Sequence, residues 1–356
     1  ETQVEATPET FTATPETSPT ETTSATPEEN SPTEIPTATP EPVFNQPTEK
    51  FSTTGFPITG TAHYVSSISG SDSTDCTSSA APCQTIPYAI ARAAAGDTIL
   101  VTAGIYSAPI DVNKALNIYG GWDEVFSQQN GYSKQTINKT SFYDITTGAA
   151  QMDRFMVSGV TQSQQAFGIY EATFTLTNSA LINNKANLGS PVVVDADSSK
   201  PITFKNVTIS GNQADYMIFK YGIASFTLIN TTISNNVGIS IYGRTNIKNT
   251  ILSGNSCSSS YSITSLGYNI IADNKYCKAT PTTGDKFDVD PRLGIFLPQQ
   301  GYHPLAPDSP AINAGNACPL STDQRGVPRV GTCDIGAYEY KAPGPATDIV
   351  VTVGNG

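Results

Sequence analysis

Apolar and polar positions alternate in a short word that the chain repeats four times. It reads FTLTNSALINN at 174–184, ITFKNVTISGN at 202–212, FTLINTTISNN at 226–236 and TNIKNTILSGN at 245–255. Each copy is rich in Ile, Val, Thr, Phe and Leu and is interrupted by Asn or Gly, the pattern of strand, turn and strand. The copies start 28, 24 and 19 residues apart. Strand-bearing repeats of that period predict a solenoid whose unit cannot close a core alone, and no regular Leu frame is present to suggest leucine-rich repeats. A parallel β-helix accommodates the uneven spacing, because one coil can swell at a corner while its strands stay stacked.

Stacking at about 4.8 Å gives every interior strand two hydrogen-bonding neighbours. Phe226, Leu228 and Ile233 are expected to point inward, matched by Phe174, Leu176 and Leu181 on one side and by Ile247 and Ile251 on the other. In every copy an Asn is followed six residues later by another: Asn178 and Asn184, Asn206 and Asn212, Asn230 and Asn236, Asn249 and Asn255. Asn tolerates a left-handed corner, so Asn178, Asn206, Asn230 and Asn249 are expected to form a ladder hydrogen-bonded along the stack.

Weaker rungs appear upstream at 97–113, 115–122, 135–145 and 153–161. Before them TIPYAIARAAAG at 85–96 predicts a short helix with Thr85 as N-cap and Gly96 as the stop, placed to shield the first rung's apolar floor. Beyond about 275 the word fades into Pro- and Gly-rich sequence, read as the closing cap.

The first 49 residues change the picture. They hold 14 Thr, 9 Pro and 10 Glu, with no Lys or Arg and with ATPE recurring at 6, 13, 25 and 38. Such a segment cannot bury enough apolar surface to offset its ordering entropy and reads as a stalk, either O-glycosylated or a plain spacer. Ten of the 31 acidic residues lie there, so most of the formal charge of −12 belongs to the tail. The remainder is near neutral and has no basic run, which speaks against nucleic acid as a partner. No apolar run is long enough to cross a bilayer. Starting at Glu1 without Met, the chain reads as a processed mature form.

Six cysteines fall into three close pairs, Cys76 with Cys83, Cys257 with Cys277 and Cys318 with Cys333. Local bridging is one of many pairings, and the usage fits an oxidising, extracellular setting. No CxxC spacing and only two histidines, His63 and His303, argue against a metal centre, and no cofactor motif appears.

At its start, DSTDCTSSAAPCQTIPYAIARAAAGDTILVTAGIY resembles the N-terminal cap of bacterial secreted right-handed parallel β-helix proteins of the pectin-lyase-like superfamily. At its end, 289–340, with SPAINAG, DQRG and CDIGAYEY, resembles the choice-of-anchor Q module of such proteins. The resemblance implies an exported, surface-associated chain. Taken with the repeat and the composition of the tails, it gives an all-β architecture divided into an acidic Thr/Pro-rich stalk (1–50), a linker and N-terminal cap (51–96), β-helix coils (97–280), a C-terminal cap (281–340) and a tail (341–356).

Pectate lyases and polygalacturonases use this fold, so the resemblance also implies a candidate enzyme of their kind. The NTD, DD and GHG elements of the hydrolases are absent. Lyase chemistry needs carboxylates holding calcium and a basic residue; Asp195 and Asp197 alternate on one strand and are the candidate ligand site, with Lys220 and Arg244 on later coils. Their alternative reading is a solvated loop with surface cations. Asp288 and Asp290 match a VDP element of the family and read as structural. Asn138, Asn206 and Asn230 begin Asn-x-Thr sequons; a stacked interior amide cannot carry a glycan, which leaves Asn138 as the open glycosylation site.

Two classes of function remain. One is an extracellular structural or adhesive protein, either a surface-displayed rod or a filament subunit that self-associates through DIVVTV at 348–353; the other binds or cleaves polysaccharide. An exposed set of stacked aromatic rings along the rod would favour the second.

Overall fold

A computed structural model describes residues 57–342 apart from 162–164, 187–190, 196–198, 222–223, 255–256, 258–262 and 319. The chain divides into two units, Glu1–Pro47 and Thr48–Gly356, and all described residues belong to the second. The stalk, Asp197, Asn255 and DIVVTV lie outside the described residues.

The second unit is a right-handed parallel β-helix with three stacks of strands, all paired in parallel. The first stack contains β1 (Ala62–Val65), β2 (Thr98–Thr102), β5 (Asn117–Trp122), β8 (Ala150–Asp153), β15 (Phe226–Ile229), β18 (Thr245–Lys248) and β20 (Ile263–Ser265). The second contains β3 (Gly104–Tyr106), β6 (Ser133–Thr136), β9 (Phe155–Ser158), β16 (Thr232–Ser234), β19 (Ile251–Leu252), β21 (Ile270–Ile271) and β22 (Lys286–Phe287). β11 (Phe174–Ile182) and β13 (Ile202–Ser210) run through both and join them into one sheet. The third stack is a separate six-stranded sheet: β4 (Ile110–Val112), β7 (Thr140–Tyr143), β10 (Phe167–Tyr170), β12 (Pro191–Asp195), β14 (Gln213–Lys220) and β17 (Val237–Tyr242).

Register follows the sequence word. Phe174 lies opposite Ile202, which lies opposite Phe226, and Leu176, Phe204, Leu228 and Ile247 form the next inward row. The interior carries a column of rings, with Phe204 4.9 Å from Phe226 and Phe142 4.3 Å from Phe174. One expected match differs. Ile233 is paired with Leu252, and Ile251 pairs with Thr232. A shift of one residue turns a side chain to the other face, so Ile251 points outward, where it is buried against Leu305, Ala311, Ile335 and Tyr338.

The helix α1 (Ile86–Arg92) forms as Thr85 accepts a hydrogen bond from Tyr88 N, with Pro87 in the first turn. Its buried Ile86, Ala89 and Ile90 belong to the main core. It ends at Ala93, earlier than the Gly96 stop that the sequence suggested, because Lys114 Nζ donates to Ile90 O and Ala93 O and satisfies the last turn. A second short helix, α2 (Asn274–Cys277), follows β21.

The two asparagines of each word have different tasks. Asn178, Asn206, Asn230 and Asn249 all take left-handed backbone, with φ of 47 to 53°, at the corner between the first and second stacks. Only one amide bond between them runs along the stack, from Asn206 Nδ2 to Asn178 Oδ1 at 3.0 Å. The continuous ladder belongs to the second asparagine of the first three words. Asn184 Nδ2 donates to Asn212 Oδ1 at 3.0 Å and Asn212 Nδ2 to Asn236 Oδ1 at 2.9 Å, all within the protein.

The first row turns instead toward the C-terminal segment. Asn206 Nδ2 donates to Thr322 O, Asn230 Nδ2 to Asp334 O and Asn249 Nδ2 to Asn316 O. Rather than closing the end of the solenoid, residues 301–340 run back along its flank. Gln324 bonds Thr208, Gly301 and Tyr132, and His303 Nε2 lies 2.9 Å from Ser210 Oγ. Arg329 joins Glu339 at 2.8 Å and Asn206 Oδ1 at 3.0 Å, while Arg325 pairs with Asp323 and covers the Tyr338 ring at 3.8 Å. Three disulfides connect Cys76–Cys83, Cys257–Cys277 and Cys318–Cys333.

Candidate functional site

The outer surface of the six-stranded sheet carries the feature that the interior and the flank do not explain. On β14 and β17, Tyr216, Phe219 and Tyr242 cluster outside the coil: Phe219 and Tyr242 are 4.9 Å apart and parallel to within 4°, and Tyr216 lies 5.3 Å from Phe219 and 5.1 Å from Tyr242. Tyr221 continues the line 6.5 Å from Phe219, parallel to within 5°, and is 63% exposed.

Local backbone explains why these rings share a face. Phe219 and Tyr242 are in register on adjacent strands, so the sheet spacing itself stacks them. The β14–β17 pairing shifts register between Gln213 and Tyr216, which breaks strict alternation and leaves Met217 and Ile218 both buried while Tyr216 joins the outer rings. Two coils earlier, Tyr170 folds over Gly168, where a Cβ would meet its ring at 2.7 Å. Gln165 Nε2 donates to Tyr170 Oη, and burial raises that phenol's pKa. Tyr143 is Tyr170's in-register neighbour on β7.

The nominated carboxylates lie on this sheet only in part. Asp195 closes β12, in register with Ile169 and Lys220; Asp197 lies outside the described residues. Lys220 is not a surface cation. It is 2% exposed, because its register row is that of the inward Ile169. Arg244 is exposed just after β17. Asp288 accepts from Asn274 N at the start of α2, 14 residues earlier, and Asp290 accepts from Arg292 N as a local turn bond. Asn206 and Asn230 are buried; Asn138 is exposed and donates to Ser107 O.

Other polar clusters are internal. His63 Nε2 meets Asp97 Oδ2 at 3.1 Å, both buried. Asp153 accepts from Thr177 and Asn178, and burial raises its pKa. Among the described residues no group of three or more His, Cys, Asp or Glu could hold a metal ion, and no helix is long and apolar enough to cross a membrane.

No family model matches the chain, and no curated protein matches it. Among solved structures, the chain is similar to the one titled "Crystal structure of pectate lyase Pel9A", at 14% identity, covering 83% of this chain and 99% of that one, with a TM-score of 0.34.

Sequence reasoning passed over these aromatics because they lie outside the repeated word. A signal existed. Tyrosine precedes an acidic residue or glycine in SFYD (141–144), GIYE (168–171), KYG (220–222) and IYG (241–243), each time at or just beyond the end of the third strand of a coil. The polar, left-handed and glycine residues read as turns; the tyrosines in front of them recur on one face.

Proposed function

We propose that this chain is an extracellular adhesive rod that holds polysaccharide on the outer face of its six-stranded sheet. The observation that carries this reading is the outer cluster of half-buried Tyr216, Phe219 and Tyr242 with the exposed Tyr221 at its edge. An outer aromatic cluster edged by an exposed ring marks an interaction surface, and the flat C–H face of a pyranose ring packs on such a ring while sugar hydroxyls remain hydrated. Three disulfides fit an oxidising setting outside the cell. The coil bearing Asp195 belongs to the same sheet, so a cleaving activity would also be sought on this face.

Native affinity electrophoresis of the full chain in gels containing soluble polysaccharides tests the reading. Retarded migration that is lost in Phe219→Ala and Tyr242→Ala variants is expected. Equal mobility of all forms in every gel would overturn it.

A further inference from the structure

The covered flank has an uncovered end. On the second stack, one row of outward positions runs by register from Ile105 through Lys134, Met156, Ala180 and Thr208 to Ile251 and Ile270. From Met156 onward the C-terminal segment roofs it. Gly301 passes so close that a Cβ there would meet Ala180 at 2.7 Å and Met156 at 2.9 Å, and one on Gly336 would meet Ile251 at 2.8 Å. The roof stops short of the first strand of the stack. There Ile105 is 67% exposed, and β3 pairs with β6 and with no other described strand.

Two loops enlarge this apolar end. Ser67 N donates to Tyr106 Oη, so the loop carrying Ile68 lies against β3. The hydroxyls of Ser66 and Ser69 donate to Glu124, which holds the loop carrying Val125 against that of Ile68. Ile68 and Val125 are more exposed than Ile105. Grouped aliphatic side chains left in water mark a docking surface.

We infer that this end of the flank, on a different stack from the aromatic rings, receives the tail of a second copy, DIVVTV at 348–353, as a strand added beside β3. The tail continues the segment that already covers the rest of the row, and its apolar, β-branched residues suit an open strand edge. Asp348 opens it, and Lys134, in register with Ile105, supplies the opposite charge.

Reach selects a second copy over the chain's own tail. The segment leaves the roof at Tyr340, packed against the cluster of Ile251 and Ile270. Six strand steps of about 4.8 Å separate Ile251 from Ile105, roughly 29 Å. Residues 342–348 span at most about 21 Å when fully extended, so DIVVTV cannot lie whole on β3 of its own chain. In copies stacked end to end, the tail leaves one rod beside the first strands of the next.

Sedimentation velocity of the full chain over a range of concentrations, alone and as two variants, tests the docking. The unaltered chain should form oligomers that grow with concentration. Ile105→Lys, a change at an exposed side chain, and Val350→Lys, in the tail, should each weaken association at least about tenfold. An equimolar mixture of the two variants holds one intact tail and one intact acceptor per pair, and should stop at the dimer. An unaltered chain that stays monomeric at every concentration would overturn the inference. So would Ile105→Lys that assembles as the unaltered chain does, or variants that remain monomeric when mixed.

Discussion

Two outer surfaces of the same coils are treated in opposite ways. The flank of the second stack, lined by Asn206, Asn230, Asn249, Thr208 and Ser210, is covered by residues 301–340 and nearly every polar group there has a partner. The six-stranded sheet carries Tyr216, Phe219, Tyr221 and Tyr242 and no described residue of the C-terminal segment is bonded to it. Apolar burial alone would have placed the covering segment on the rings. A polar flank is covered because hydrogen bonding and the outward Ile251 and Ile270 direct the segment there. On the function proposed above, the aromatic face is left for a ligand outside the chain.

The sharpest way to break the covered side is Arg329→Ala, which leaves Glu339 buried without its 2.8 Å partner and removes the bond to Asn206. A loss of about 3–5 kcal/mol in urea unfolding is expected, with saccharide binding of the folded fraction unchanged. Asn212→Ala interrupts the interior amide ladder and strands the groups of Asn184 and Leu181; it should cost about 2–3 kcal/mol.

The covered side also predicts a pH dependence. Burial raises the Asp334 carboxyl from 3.8 to about 6, against the hydrogen bonds from Asn313 N and Tyr340 N. A carboxyl whose folded pKa is raised binds its proton more tightly folded than unfolded. Its contribution is therefore full below about pH 4 and is lost as pH rises through about 6, a fall of about 3 kcal/mol. Asp334→Asn should flatten this part of the stability profile, read from melts at pH 4 and pH 7.

On the open side, Tyr242→Ala removes the stacked partner of Phe219. Binding should fall by about 1 kcal/mol, measured by titration.

Much of this architecture was legible because the repeated word carries its own register. Alternation fixed the inward Phe174, Leu176, Phe226 and Leu228, and the varied spacing pointed to coils with loops at corners. Ile251 was misplaced since TILS shows two adjacent apolar residues, and only the strand pairing decides between Ile251 and Leu252. The two asparagine rows were merged into one expected ladder because a corner residue and an interior amide look alike in sequence; the docking partner of the first row lies 67 to 116 residues away. Lys220 read as a surface charge for the same reason: IFKYG gives no sign that the strand turns its lysine inward. The binding face was hidden by its distance from the repeat, in tyrosines that precede turns.

Nitration mapping of tyrosines in the native chain, with and without a soluble polysaccharide that retards it in the affinity gel, tests the open-face account most directly. Protection of Tyr216, Tyr221 and Tyr242 is predicted, while Tyr276, 44% exposed on α2, keeps its reactivity. Unchanged nitration of the three, or protection confined to Tyr276, would contradict the claim that the aromatic face is where this protein meets its ligand.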